Sequence, residues 1–215
     1  QQKDIPLNII NSFGLSYYNY NYFPSNFEGN EIFFNLCKNG HFFFVEKMLQ
    51  TQKIVDVNFK MKTRMNYYEG FCTPLIISIS NGHANIVDLL LKCDGIDIND
   101  EYIEYEKGTF QLVANGLYES VLIDNNKIVK LLLNNSNIDV NKKSYQNLYF
   151  TDSSIQMIEN IPLLMAIENQ NIEIIKLLLS NPKIDINKCS FIYIADKSPY
   201  AHDNSKLFHK KTALH

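Results

Sequence analysis

An all-α solenoid of stacked helix-turn-helix repeats, with extended loops or hairpins between them, is the fold class this sequence predicts. Three observations lead there. A phrase recurs along the chain: "NIVDLLLKCDGIDIN" at 85–99, "KIVKLLLNNSNIDVN" at 127–141 and "NIEIIKLLLSNPKIDIN" at 171–187. Its closing residue falls at Asn58, Asn99, Asn141 and Asn187, spacings of 41, 42 and 46 residues, and self-similarity of this kind marks a repeat architecture. The Ile and Leu of each phrase cover well over half of a helix circumference, more than an amphipathic stripe.

That last feature makes stacking a physical requirement. Each buried Leu or Ile contributes roughly 1.5–3 kcal/mol. One short helix pair cannot bury them all, whereas neighbouring units can.

The elements follow in order. Residues 1–30 form a segment of their own, in which "LSYYNYNYFPSNFEG" (15–29) is aromatic without a helical period. It either completes a degenerate upstream repeat or covers the open face of the first helix pair, as terminal units require. The repeat domain occupies 31–215, with units near 31–58, 73–99, 115–141 and 161–187 and the start of another at 211–215. In the second unit Thr73 suits a helix N-cap and Pro74 the first helical position, where no amide bond is lost. Asn81-Gly82 then ends that helix, since Gly accepts positive φ. In the third unit, Asn115-Gly116-Leu117 opens the first helix and Asp124-Asn125 makes the turn. Its second helix is better defined by the pattern than its first.

The stretch "TPLIISISNGHANIVDLLL" resembles an ankyrin repeat, with a Thr-Pro-Leu opening, a Gly-His turn and a Leu-rich second helix. "EIFFNLCKNGHFFFVEKML" keeps Gly40-His41, and "IPLLMAIENQNIEIIKLLL" keeps Pro162-Leu163 and Ala166 but has Gln170-Asn171 at the turn. "KTALH" at 211–215 resembles the opening of a further copy. The resemblance assigns His41 and His83 to structural turns. It implies a non-catalytic, monomeric module that binds other proteins through its concave helix face and inter-repeat loops.

An ankyrin unit is typically about 33 residues, so roughly ten residues per unit are in excess. They fall after each Asn, at 59–71, 100–114, 142–160 and 188–210, where the resemblance implies finger loops or hairpins. Insertions on one face are a sign of the binding face, although lengthening a loop also costs little and is easily tolerated. The first loop carries Lys60, Lys62 and Arg64 with Tyr67 and Tyr68. The second carries Asp100, Glu101, Glu104 and Glu106 with Tyr102 and Tyr105. These sets either pair internally, at about 0–1 kcal/mol per exposed pair, or form a bipolar patch. Interface anchors are enriched in Trp, Tyr and Arg. With no Trp, and Arg64 the sole arginine, the candidate partner-binding residues are Lys60, Lys62, Arg64, Tyr67, Tyr68, Tyr102, Glu104, Tyr105, Tyr145, Tyr149 and Tyr193.

Other function classes find little support. A net charge of −3 gives no electrostatic reason for nucleic acid or an anionic membrane as a partner. No apolar run approaches the ~18–20 residues of a membrane span. Cys37, Cys72, Cys93 and Cys189 form no CxxC pair and read as reduced thiols, which places the protein inside the cell, in the cytoplasm. Asn134-Asn135-Ser136 is a chance triplet in an Asn-rich chain. Cys37 and His41 stand four apart, but no second Cys/His pair follows at zinc spacing. His202, Asp203 and His209 lack a positioned nucleophile. No nucleotide-binding or hydrolase motif occurs, so neither catalytic residues nor a cofactor or metal is expected. The alternative is a regulatory or targeting arm of a larger enzyme whose catalytic part lies elsewhere.

Overall fold

The computed structural model describes residues 29–50, 55–65, 68–106, 109–149, 154–196 and 206–211. The proposed N-terminal cap, except its last two residues, lies outside them, as do Tyr67 and residues 212–215 of "KTALH".

Among the described residues four helix pairs follow one another: α1 (Gly29–Lys38) with α2 (Phe42–Gln50), α3 (Pro74–Ser80) with α4 (Ala84–Leu90), α5 (Gly116–Leu122) with α6 (Asn126–Leu133), and α7 (Pro162–Glu168) with α8 (Ile172–Leu179). The first helices α1, α3, α5 and α7 stack in one layer, and α2, α4, α6 and α8 in a second. Their interface is a continuous core that includes Phe33, Phe34, Ile76, Ile79, Ile86, Leu90, Leu117, Ile128, Leu132, Ile174 and Leu178.

Local chemistry explains where each helix starts and stops. Thr73 Oγ accepts the Ile76 amide at 3.4 Å with Pro74 in the first turn. Asn115 Oδ1 accepts the Tyr118 amide at 3.0 Å, which starts the third unit's first helix despite its weak pattern. Asn125 and Asn171 cap α6 and α8 in the same way, at 3.1 and 3.0 Å. The turns need left-handed backbone: Gly40 (φ 75°), Gly82 (φ 74°), Asp124 (φ 59°) and Gln170 (φ 57°). At Gly40 a Cβ would meet the His83 ring at 2.7 Å. That ring is there because His83 Nε2 bonds the Lys38 carbonyl oxygen at 3.0 Å, tying one turn to the next.

The all-α expectation is wrong. The four segments expected to be finger loops or hairpins are hairpins: β1 (Met61–Met65) with β2 (Tyr68–Cys72), β3 (Glu101–Glu106) with β4 (Thr109–Asn115), β5 (Ser144–Tyr149) with β6 (Ser154–Asn160), and β7 (Ser190–Asp196) with β8 (Lys206–Lys211). They join edge to edge into one eight-stranded antiparallel sheet in the order β1 to β8. The physical reason is a match of spacings. Packed helices lie about 8–10 Å apart, and two strands occupy about 9.5 Å. Each hairpin therefore arrives beside the next at pairing distance, and its otherwise open edge is filled.

The recurring Asn proves to be the fastener between units. Asn99 Nδ2 donates to the Asn137 carbonyl at 2.7 Å, and its Oδ1 accepts the Asp139 amide at 2.8 Å. Asn58 makes the same two bonds to Gly95 and Asp97, and Asn141 to Lys183 and Asp185. The Asp two residues earlier folds the turn by accepting the Asn amide, as in Asp97 to Asn99 at 3.0 Å. Asn99→Ala removes two bonds at once and is expected to cost about 1–3 kcal/mol, read as a lower denaturant midpoint with an unchanged slope. A wild-type midpoint would mean that the fastener contributes nothing net.

Candidate binding surface

Strand register sorts the candidate residues into two sets. Directly paired residues in an antiparallel sheet share a face, and neighbours along a strand alternate. Lys62 pairs with Phe71, Phe71 with Ile103, Ile103 with Val113, and Val113 with Tyr145. This row crosses three hairpins on the face turned away from the helices. Phe71 is 47% exposed, Lys62 is exposed, and Ile103, Val113 and Tyr145 are half-buried. Arg64 and Glu69, two residues along their strands, pair on the same face and are exposed. Lys62 bonds Glu69 at 2.6 Å within its own hairpin.

The other face packs on the helices. Cys72, Tyr102, Glu104, Leu112 and Ala114 are all buried. Tyr102 is fully enclosed, and its hydroxyl donates to Glu119 Oε2. Burial, followed by the Glu119 charge, pushes its phenol well above the usual range. Glu104 is 3% exposed, and its Oε1 has no hydrogen-bond partner. Glu119, also wholly buried, accepts the Ser80 hydroxyl on Oε1 at 2.8 Å. Burial first and the Glu119 charge second raise the Glu104 carboxyl to about 7.

Of the eleven candidates, Lys62, Arg64 and Tyr145 share the outward face, while Tyr102 and Glu104 are inside. Lys60 is bonded to Asp100 of the next hairpin at 2.7 Å, so its charge is used between units. Lys142 reaches Glu101 at 3.4 Å in the same manner. For Tyr68, Tyr105, Tyr149 and Tyr193 the structure gives strand positions: Tyr68 opposite Met65, Tyr105 opposite Glu69, Tyr149 opposite Ile155 and Tyr193 opposite Met157. Sequence reasoning missed Phe71, Ile103 and Val113. Alternation such as Met61-Lys62-Thr63-Arg64 was the available signal, but pairing partners are not written in it.

A second feature lies between helices and sheet. An open recess is lined by Tyr118, Asn160, Met165, Glu168, Gln146 and Ser190 among others. Among the described residues no group of three or more His, Cys, Asp and Glu is arranged to hold a metal ion. Burial pushes the Cys37 and Cys72 thiols up to about 12, so both are neutral core groups. Among the described residues no helix is long and apolar enough to cross a membrane.

The pattern of ankyrin repeats in three copies matches residues 8–102, and a single ankyrin repeat matches 162–188. The chain belongs to the ankyrin repeat family. No curated protein matches it. The ankyrin match begins at residue 8, inside the segment expected to be a cap or degenerate repeat. The unit carrying α5 and α6 falls between the two matched stretches, yet it forms the same helix pair and the same Asn fastening. Ankyrin repeats generally act as protein–protein interaction modules, and ankyrin domains are typically non-catalytic.

Proposed function

We propose that this ankyrin chain is a scaffold that binds partner proteins through its first-helix layer and its hairpin sheet. The outward row Lys62–Phe71–Ile103–Val113–Tyr145 is the principal contact strip. One observation carries this reading. Four adjacent strands place apolar and aromatic side chains in line on a solvent face, with Lys62 and Arg64 at one end. A lone exposed Phe needs no explanation, but aligned ones resemble an interface core with a polar rim. The sheet supplies rigidity, so little ordering entropy is lost on association. A partner segment presenting apolar side chains with an acidic group toward Lys62 and Arg64 fits the strip. The units near 31–58, 73–99, 115–141 and 161–187 would each add one hairpin to that platform.

The test is a comparison of captured partners between wild type and a Phe71→Asp/Tyr145→Asp variant. Both side chains lie on the outer face, Phe71 exposed and Tyr145 half-buried, so each change should cost about 1 kcal/mol, the span of strand propensity, and leave the fold intact. Partner recovery is expected to fall at least about tenfold, equivalent to about 1.4 kcal/mol. A control change at Lys127, exposed on α6, should retain the partners. Equal recovery by all three proteins would sink the contact strip.

A further inference from the structure

The root of the second hairpin buries two carboxyl groups, and among the described residues one oxygen of the pair, Glu104 Oε1, has no donor. Glu119 on α5 uses both of its oxygens, accepting from Tyr102 of β3 and Ser80 of α3. Glu104, also on β3, is enclosed with its Oε1 unpartnered. Its two cross-strand partners supply no donor side chain. Opposite it on β2 stands Gly70, where a Cβ would lie 2.4 Å from the Ile103 carbonyl oxygen, and opposite it on β4 stands the buried Leu112. A buried polar atom left without a partner costs about 1–3 kcal/mol, and more if charged.

The surrounding charges do not relieve it. Lys38 of α1 donates to Thr63 at 2.7 Å, Lys60 is held by Asp100, and Lys142 bonds the Asn99 carbonyl at 2.6 Å. From β2 comes the neutral Cys72 thiol, and from α5 come Tyr118 and Glu119. Glu168 of α7 acts on Tyr118.

We propose that Glu104 and Glu119 form a proton-operated joint between hairpin and helices. With Glu104 protonated, β3–β4 closes on the seam between α3 and α5; with Glu104 ionised, the hairpin root loosens. Protonation supplies what the geometry lacks: it removes one of two like charges and turns an orphaned acceptor into a hydroxyl donor. The β3–β4 hairpin stands between β2 and β5, so the joint also governs how the first hairpin is linked to the third. It operates whether or not a partner binds.

The direction follows from linkage. The folded-state carboxyl at about 7 is raised above an ordinary Glu, near 4.3 in an unfolded chain. Its stabilising contribution is therefore full at acid pH and is lost as pH rises through about 7. Opening of the hairpin should become about tenfold more favourable between pH 6 and pH 8.

Amide hydrogen exchange resolved by peptide, corrected for intrinsic rates at each pH, tests this on the whole chain. Wild-type protection over 101–115 is expected to fall about tenfold from pH 6 to pH 8, while 144–160 changes less. Glu104→Gln, neutral at every pH and able to donate, should hold the pH 6 protection throughout. Glu119→Gln should shift the wild-type step to lower pH. The same step in wild type and Glu104→Gln would overturn the joint, as would an equal step in 144–160. A wild-type protein with no step at all would overturn it too.

Discussion

Leu132→Asp is expected to split the stack. Leu132 lies on α6 with no exposure to solvent, and α6 packs against both α4 and α8. An aspartate there loses the leucine's burial, leaves a cavity and encloses a charge without a partner. Leu→Ala alone costs about 2–5 kcal/mol in a core, and the buried charge adds to it. A total of about 5 kcal/mol or more rivals the whole stability of many domains. In a quasi-one-dimensional array the damage is expected at the nearest interfaces. The α7–α8 unit should then melt separately from the units before α5. Guanidinium unfolding followed by circular dichroism, with exchange protection of α8 as a second probe, reads this directly. A single transition at the wild-type midpoint would refute stacking through α6. Lys130→Asp, on the exposed side of the same helix, is the control and should change stability by no more than about 0.5 kcal/mol.

Tyr102→Ala is expected to unsettle the fold before it affects any partner. Its ring is fully enclosed between the sheet and the first-helix layer. Removing it should cost about 3–5 kcal/mol, the range for large aromatic truncations. Tyr102→Phe keeps the ring and removes only the donor to Glu119, for an expected loss of about 1.5–3 kcal/mol. The pair separates packing from hydrogen bonding, and thermal melts near pH 6 measure both. Equal melting temperatures for wild type and Tyr102→Phe would show that the Glu119 contact adds nothing. The consequence for interface work is practical. A lost partner in Tyr102→Ala would report unfolding, whereas Phe71 and Tyr145 probe the surface itself.

Much of the helical frame was legible in the chain. Thr73, Pro74 and Gly82 announce α3 and its turn through backbone chemistry that operates within a few residues. The spacing of Asn58, Asn99, Asn141 and Asn187 revealed the unit. The bonds that fasten this Asn to the next unit were not readable, because they join residues about forty positions apart, such as Asn99 and Asn137. The third unit shows a similar limit. Asn115 looked like part of a weak opening, and it proved to be the cap that starts α5.

The hairpins were harder to read for a different reason. Polar and aromatic alternation in "EYIEYE" suits a strand only when others lie beside it; β4 comes from its own hairpin, but β2 comes from the preceding unit. Residue type alone marks the tyrosines and charges of these segments as candidate anchors. Which of them meets solvent depends on a period of two, and a one-residue shift in pairing would exchange the faces. Tyr102 and Glu104 thus went inside while Lys62, Arg64 and Tyr145 stayed out.

By itself, then, the sequence determined the repeat unit, its two helices and its caps, because those depend on local periodicity and short-range hydrogen bonds. Only the tertiary structure decided that the fingers form one sheet, which face of it is open, and that two carboxyl groups are buried together. Those outcomes require the spacing of stacked helices to match the spacing of paired strands, a relation between units that no single unit contains.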